Sequence, residues 1–283
     1  MTIVASRSRR SSVLWHAGAL AMLGVVLYPI AWVVAATFKP SQDIIGTLGL
    51  LPTDPTTANY LAAADGLAGI SIGRFFVNSA VLGVLSVLGT VASCSLASYA
   101  FARLRFLGRA ALFGLMISTL LLPFHVLIIP QYTVFQKLDL IDTYVPLLIG
   151  KYLAADAFFV FLMVQFIRTI PPELDESAKI DGAGHWGIYW SIILPLTRPA
   201  LITTAIFTFI WSWNDFFGPL IYLSTPDRYP LPLALQLYID EASGPNFGAL
   251  MAMSILALLP VILFFLFFQR FLVEGVSTSG LKG

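Results

Sequence analysis

Six long apolar runs constrain this chain more than any other feature. Residues 13–37, 76–100, 110–133, 144–168, 199–223 and 248–269 each reach the ~20 residues a helix needs to cross the hydrocarbon core of a bilayer. In lipid, backbone N–H and C=O groups must be satisfied within the protein, so such runs are read as helices. The expected fold class is all-α: a polytopic membrane protein with six transmembrane helices. With 58% hydrophobic and 11% charged residues, the chain is excluded from the ordinary soluble globular class. A net charge of +1 gives no electrostatic reason to expect a nucleic-acid partner. The first run is too long for a signal-peptide core and lacks a convincing cleavage site, so it is read as a retained span.

An even number of spans puts both termini on one side, and the basic residues indicate which. Arg7, Arg9, Arg10, Arg103, Arg105, Arg109, Arg168, Lys179, Arg198, Arg270 and Lys282 fall on one side, against Lys39, Arg74, Lys137 and Arg228 on the other. Positive charge is retained inside, so both termini are expected in the cytoplasm. The expected organisation is a cytoplasmic tail over 1–12, a six-span domain over 13–272 with a cytoplasmic loop at 169–198, and a cytoplasmic tail over 273–283. The external stretch Ser224 to Asn246, with Tyr229, Pro230, Tyr238, Asp240 and Glu241, suits either an external partner or an interfacial belt of tyrosines.

Residue chemistry argues against catalysis. Cys94 is the lone cysteine and cannot form an intrachain disulfide. His16, His125 and His185 lie far apart with no ligand spacing, so no metal site is expected. Gly150-Lys151 sits inside an apolar run and lacks the surroundings of a phosphate-binding lysine. No catalytic residue is assigned.

Charges within spans are expensive, about 2.5–3.5 kcal/mol at a helix centre, which singles out Lys151, Asp156 and Asp215. Asp215 ends a stripe of Thr204, Thr208, Trp211 and Ser212, at offsets that share one helical face. With Trp213 and Asn214 beside it, that face suits a path for a hydroxyl-rich solute. Lys151 and Asp215 are expected at similar depth, either facing each other or sharing an aqueous cavity. Asp156 has no evident partner in the chain. The second span, with Gly83, Gly89, Ala92, Ser93, Ser95, Ala97 and Ser98, reads as close helix packing without chemistry. Pro123, Pro130 and Pro219 predict kinks.

The loop Pro171 to Pro199 is the longest connection on the cytoplasmic side. Pro171-Pro172 ends one helix and starts another, with Glu173, Asp175 and Glu176 near its positive N-terminal end. Gly182 and Gly184 are stop signals, and a second short segment runs from Trp186 to Leu194. Glu176-Ser177-Ala178, Gly182 three residues on, and Ile192-x-Leu194-Pro195 after nine more spell E-[AS]-A-x3-G-x9-I-x-L-P. This pattern resembles the EAA loop of permease subunits of ATP-binding-cassette importers. Trp213-Asn214-Asp215-Phe216 and the ending Phe268 to Gly275 with Leu281-Lys282-Gly283 resemble elements of the maltose and glycerol-phosphate type of sugar permease. The first two spans resemble the family only in topology, and one departure is Ser177 where alanine is usual.

The resemblance implies a type I importer permease fold in the bacterial cytoplasmic membrane and a function in ATP-driven import of a sugar or sugar derivative. It implies two ATPase subunits, a second homologous permease and an external solute-binding protein as partners. No cofactor is implied on this chain, since ATP and Mg belong to the ATPase. Glu176, Ser177, Ala178, Asp181, Gly182, Ala183, Ile192, Leu194 and Pro195 would form the ATPase-coupling loop. Thr208, Trp211, Ser212, Trp213, Asn214, Asp215, Asp156 and Lys151 would border the substrate pathway. The alternative is an ion-coupled secondary sugar transporter, which would usually show inverted repeats; none is evident.

Overall fold

In the computed structural model the described residues are 9–46, 49–67, 69–241 and 247–277, with side chains described except at 9–13, 124, 240, 241 and 270–277. The distal tail residues, Leu281-Lys282-Gly283 and Ser243 lie outside them. Among the described residues every regular element is helical. By length and composition four helical stretches can cross a membrane, or up to six if each of two bent helix pairs is one span.

The chain divides into two compact units. The first comprises residues 1–72 and 235–258. It holds α1 (Arg9–Ala36), α2 (Ser41–Ile44) and α3 (Ala58–Asp65). α1 is apolar on all sides and exposed from Leu14 to Ala31, as expected of a helix solvated by lipid or by another membrane subunit. The excursion after it is organised by Asn59, whose amide donates to the carbonyls of Thr37 at 2.8 Å and Lys39 at 2.7 Å and accepts from the Ser41 hydroxyl. One buried asparagine thus satisfies backbone that α1 leaves open where it ends.

The second unit, residues 73–234 and 259–283, contains the site. Its spine is α4 (Ile72–Arg103), unbroken for 32 residues or about 48 Å. The third span is α5 (Arg109–Ser118), a short 3-10 turn, and α6 (Phe124–Lys137), bent by 105°. Pro123 sits at that bend, where its missing N–H ends the helical ladder. The fourth span is not continuous: α7 (Val145–Tyr152) and α8 (Ala157–Thr169) are separated at residues 153–156, with Ala154 at φ +53°. No proline marks that break, and the sequence reading missed it.

The loop between spans begins with α9 (Glu173–Ile180), close to the helix expected there. It continues through α10 (His185–Ile188), a π-helical turn at Tyr189–Ile193, α11 (Leu194–Leu196) and α12 (Arg198–Trp213), with a 73° bend into α12. α13 (Phe217–Tyr222) completes the fifth span, and α14 (Leu231–Glu241) and α15 (Phe247–Ser277) follow. Cys94 of α4, Phe159, Val160, Met163 and Val164 of α8, and Ala200 of α12 form one buried cluster, so these three helices pack together.

The connections at one end of this unit are held by Asp142. Its carboxylate accepts from the Ser224 and Thr225 amides, each at 3.0 Å, the Thr225 hydroxyl at 2.6 Å and Arg228 Nη1 at 3.0 Å. Desolvation alone would raise its pKa, but the combined hydrogen bonds and the Arg228 charge bring it down to about 2. Arg74 pairs with Asp227 at 2.9 Å, and Asn78 donates to the carbonyls of Asp227 and Tyr229.

Candidate functional site

Two places in the second unit gather the residues singled out by sequence. The first is a cavity of about 390 Å³ lined by Leu82, Ser86, Leu147, Lys151, Trp211, Ser212, Asp215 and Pro219. α4 contributes Ser86, whose hydroxyl lies 3.2 Å from that of Ser212 on α12. Trp211 is half exposed, its ring among Phe158, Phe159 and Phe207. The cavity therefore combines hydroxyls, an aromatic face, an ammonium and a carboxylate, the set that can hold a polar solute on an apolar wall.

Asp215 sits in the gap between α12 and α13. Its Oδ1 accepts from the Gly218 amide at 3.1 Å, so it closes the start of α13 while bordering the cavity. A Cβ on Gly218 would stand 2.7 Å from Asp215 Oδ2 and 3.1 Å from Leu147, so this glycine makes room for the carboxylate.

Lys151 does not pair with Asp215. Its ammonium meets Asp156 at 3.0 and 3.3 Å, and Thr90 donates to the same carboxylate at 3.3 Å. Asp156 thus has a partner in its own chain, contrary to expectation. In a continuous helix residues five apart would diverge around the axis. The break at 153–156 turns the chain back and brings the two side chains together.

The stripe along α12 divides. Ser212, Trp211 and Asp215 reach the cavity, whereas Thr204 and Thr208 are buried, their hydroxyls without a hydrogen-bond partner among the described residues. Trp213 is buried between Phe76 and Phe209 rather than on the cavity wall. Asn214 is exposed and donates back to the Ile210 carbonyl at 2.7 Å, closing the end of α12. Neither residue lines the cavity: Trp213 lies roughly 200° around α12 from Trp211, and Asn214 follows the helix end.

The second place is the loop. Gly182 has φ +87°, its amide bonds the Lys179 carbonyl, and the Ala183 amide bonds that of Ala178 at 2.9 Å. Those two bonds and the left-handed residue form a Schellman stop, which favours glycine at 182 for backbone reasons. Ala178, Ala183, Ile192 and Leu194 pack on a buried cluster of Tyr99, Ile167, Ile170, Ile188, Tyr189 and Ile193. Glu176, Ser177, Asp181 and Gly182 are exposed, Pro195 is half-buried, and the Ser177 hydroxyl turns back to the Glu173 carbonyl. Leu174, Ile180, Trp186 and Trp190 expose large apolar surface on an otherwise polar loop, with Ile180 at 87%.

Sequence reasoning missed what holds the loop in place. Asp175 is buried against Arg103 at the end of α4, Nε to Oδ2 3.2 Å. Tyr99 donates to the His185 carbonyl, and Ser95 shares a hydrogen bond with Tyr189 at 2.8 Å. The hydroxyls of the second span carry more than close packing: Ser93 donates to the Lys151 carbonyl and Ser98 to that of Val160. No sequence signal marked Asp175, because the inward face of α9 is set by the packing of Ala178, one turn on.

Residues 67–278 match the family of binding-protein-dependent transport system inner membrane components. The chain belongs to this family. It is 33% identical over 264 residues to the arabinooligosaccharides transport system permease protein AraQ of Halalkalibacterium halodurans, covering 92% of each chain. It is 34% identical over 264 residues to the sn-glycerol-3-phosphate transport system permease protein UgpE of Agrobacterium fabrum, covering 90% of this chain and 93% of that one. A crystal structure of a bacterial ABC transporter involved in the import of the acidic polysaccharide alginate shares its fold, with TM-score 0.81, 22% identity, and 95% and 99% of the two chains covered. The protein is thus a multi-pass permease of the ATP-binding-cassette import type, and the secondary-carrier alternative is set aside. Membership implies an ATPase and a solute-binding protein as partners.

Proposed function

We propose that this permease is one half of a translocation pore that imports a sugar or sugar derivative, paired with a second, homologous permease. The observation carrying this reading is the cavity, where Ser86, Ser212, Lys151, Asp215 and the Trp211 ring offer the hydrogen-bonding and stacking groups that a carbohydrate uses. Relatives named for arabinooligosaccharides and glycerol phosphate support the same class. The coupling site is the loop from α9 to α11. Its exposed Leu174, Ile180, Trp186 and Trp190, with Glu176 beside them, offer an apolar surface with a charged edge for an ATPase groove. ATP and Mg bind to that ATPase, which carries out the hydrolysis. The basic-residue bias puts this loop and both termini in the cytoplasm, in a six-span domain over 13–272.

Reconstitution tests the reading. Vesicles holding both permeases and the ATPase pair, with binding protein outside, should take up sugar only with ATP inside. Asp215→Leu should lower uptake at least tenfold, and Glu176→Lys should abolish it, at normal membrane levels. Full uptake by Asp215→Leu would remove the cavity from the pathway.

A further inference from the structure

Arg103 and Asp175 form a deeply buried ion pair in this permease, with side chains 11% and 10% exposed. It lies where α4 meets α9, remote from the cavity. Charges are seldom buried without need, because replacing such a pair by apolar groups is often neutral or stabilising. Ala102, next to Arg103 in sequence, and Ala178, one turn on from Asp175, already pack on the apolar cluster of Tyr99 and Ile170, so packing alone does not require ions at this junction.

The placement of the pair suggests its use. α4 is a single unbroken helix that lines the cavity at Leu82 and Ser86 and ends at Arg103, about 26 Å along its axis from Ser86. Arg103 grips both sides of the loop's entrance, donating to the Ile170 carbonyl at 2.7 Å and meeting Asp175 on α9. One and two turns earlier, Tyr99 and Ser95 hold His185 and Tyr189 of the following segment. The third, fourth and fifth spans are broken or bent and would absorb a displacement, whereas α4 would pass it on. Hydrogen bonds along this one helix thus join the loop to the cavity.

We propose that Arg103 and Asp175 are positioning residues that fix α9 to α4, so that movement of the loop shifts the Leu82–Ser86 wall of the cavity. This rests on the reading of the loop as the ATPase-docking surface. The pair touches neither the sugar nor the ATPase, and it converts docking motion into a change at the cavity.

The test uses the complete complex in vesicles, with Arg103→Met, Asp175→Asn, Arg103→Lys and the double variant Arg103→Met/Asp175→Leu. Three quantities are read: ATPase co-purified with the permease, sugar imported, and ATP hydrolysed per sugar. The single charge-removing variants should retain the ATPase, import at least tenfold less sugar and consume several-fold more ATP per sugar. Arg103→Lys should restore part of the coupling. The double variant, which leaves no unpaired charge, should reach the membrane at normal levels and still be uncoupled. Normal coupling in the double variant would reduce the pair to a structural contact and overturn the proposal, as would normal coupling in Arg103→Met. Failure of the unaltered permease to retain ATPase would instead refute the docking reading itself.

Discussion

Lys151→Met should destabilise the permease by leaving the Asp156 carboxylate without its cation. At 3.0 Å and an effective dielectric of about 20, the pair's gross attraction is about 5 kcal/mol, most of which desolvation offsets. Removing one partner of a fully buried pair costs about 3–5 kcal/mol. Here both side chains remain just over a quarter exposed, at 27% and 28%. Water and the Thr90 hydroxyl take up part of the load, so a loss of about 1–3 kcal/mol is expected. For a unit of this size that corresponds to a fall of roughly 3–10 °C in unfolding midpoint. The chain carries its own reporter, because Cys94 is its single cysteine, fully buried and packed beside this break. A thiol-reactive fluorogenic dye therefore reads unfolding of the second unit in detergent. Asp156→Asn should fall by a similar amount, and Lys151→Met/Asp156→Asn should recover more than half of the summed loss. Single variants within a degree of the parent, or a double variant with the full sum, would refute the pairing as a source of stability.

Other expectations follow from single contacts. The Asp142 pKa is lowered to about 2 in the folded state, below the unfolded value, so its contribution is present above pH ~4 and lost as pH falls towards 2; with partial exposure it amounts to about 1–2 kcal/mol. Asp142→Asn should flatten the acid arm of the midpoint-versus-pH curve, and an unchanged arm would contradict the clamp. Gly182→Ala should cost about 1 kcal/mol through its positive φ and Gly182→Asn less, and equal costs would argue against the Schellman stop. Gly218→Ala should displace the Asp215 carboxylate and lose about 1.5–3 kcal/mol, a loss relieved by adding Asp215→Ala; absence of relief would break the link. In a Cys94→Ala background, cysteine at Ser177 should react only with a membrane-permeant reagent and cysteine at Asp54 with an impermeant one; the reverse would invert the topology.

Hydropathy alone located the helical spans, because lipid leaves a chain of this composition few other folds. It could not find the interruption at 153–156, because Leu153, Ala154 and Ala155 are all residues a helix accepts, and the turn depends on the Lys151–Asp156 pair and the Ser93 hydroxyl. The loop was legible as helix, glycine stop and second helix because local capping chemistry decides it. The motif did not reveal which way each residue points: Ala178 and Ala183 turn inward on this chain's own cluster of isoleucines and tyrosines, while Ile180 and Trp186 face outward. Along α12, the face rule grouped Ser212 with Asp215 correctly. It failed for Thr204 and Thr208, which share that face but are buried and not on the cavity wall, and it never covered Trp213 and Asn214, which were added for their place beside Asp215.

The two interruptions both border the cavity. Broken backbone at membrane depth is tolerated only where it is buried in protein or lines a wet space. At the first, the Leu153 and Ala155 amides both return to the Gly150 carbonyl, and Ser93 satisfies Lys151. At the second, Asn214 covers the Ile210 carbonyl and Asp215 receives the Gly218 amide. Each gap is thus closed by polar side chains that a continuous helix would not need, and each places one ionisable group, Lys151 or Asp215, on the cavity wall. A continuous helix at either position would be the simpler way to span the bilayer. Its carbonyls would then be spent within the ladder, and its side chains would keep a single helical phase. The breaks free the phase of α7 from α8 and of α12 from α13. Only α4, which runs past both, keeps one phase from the cavity to the loop.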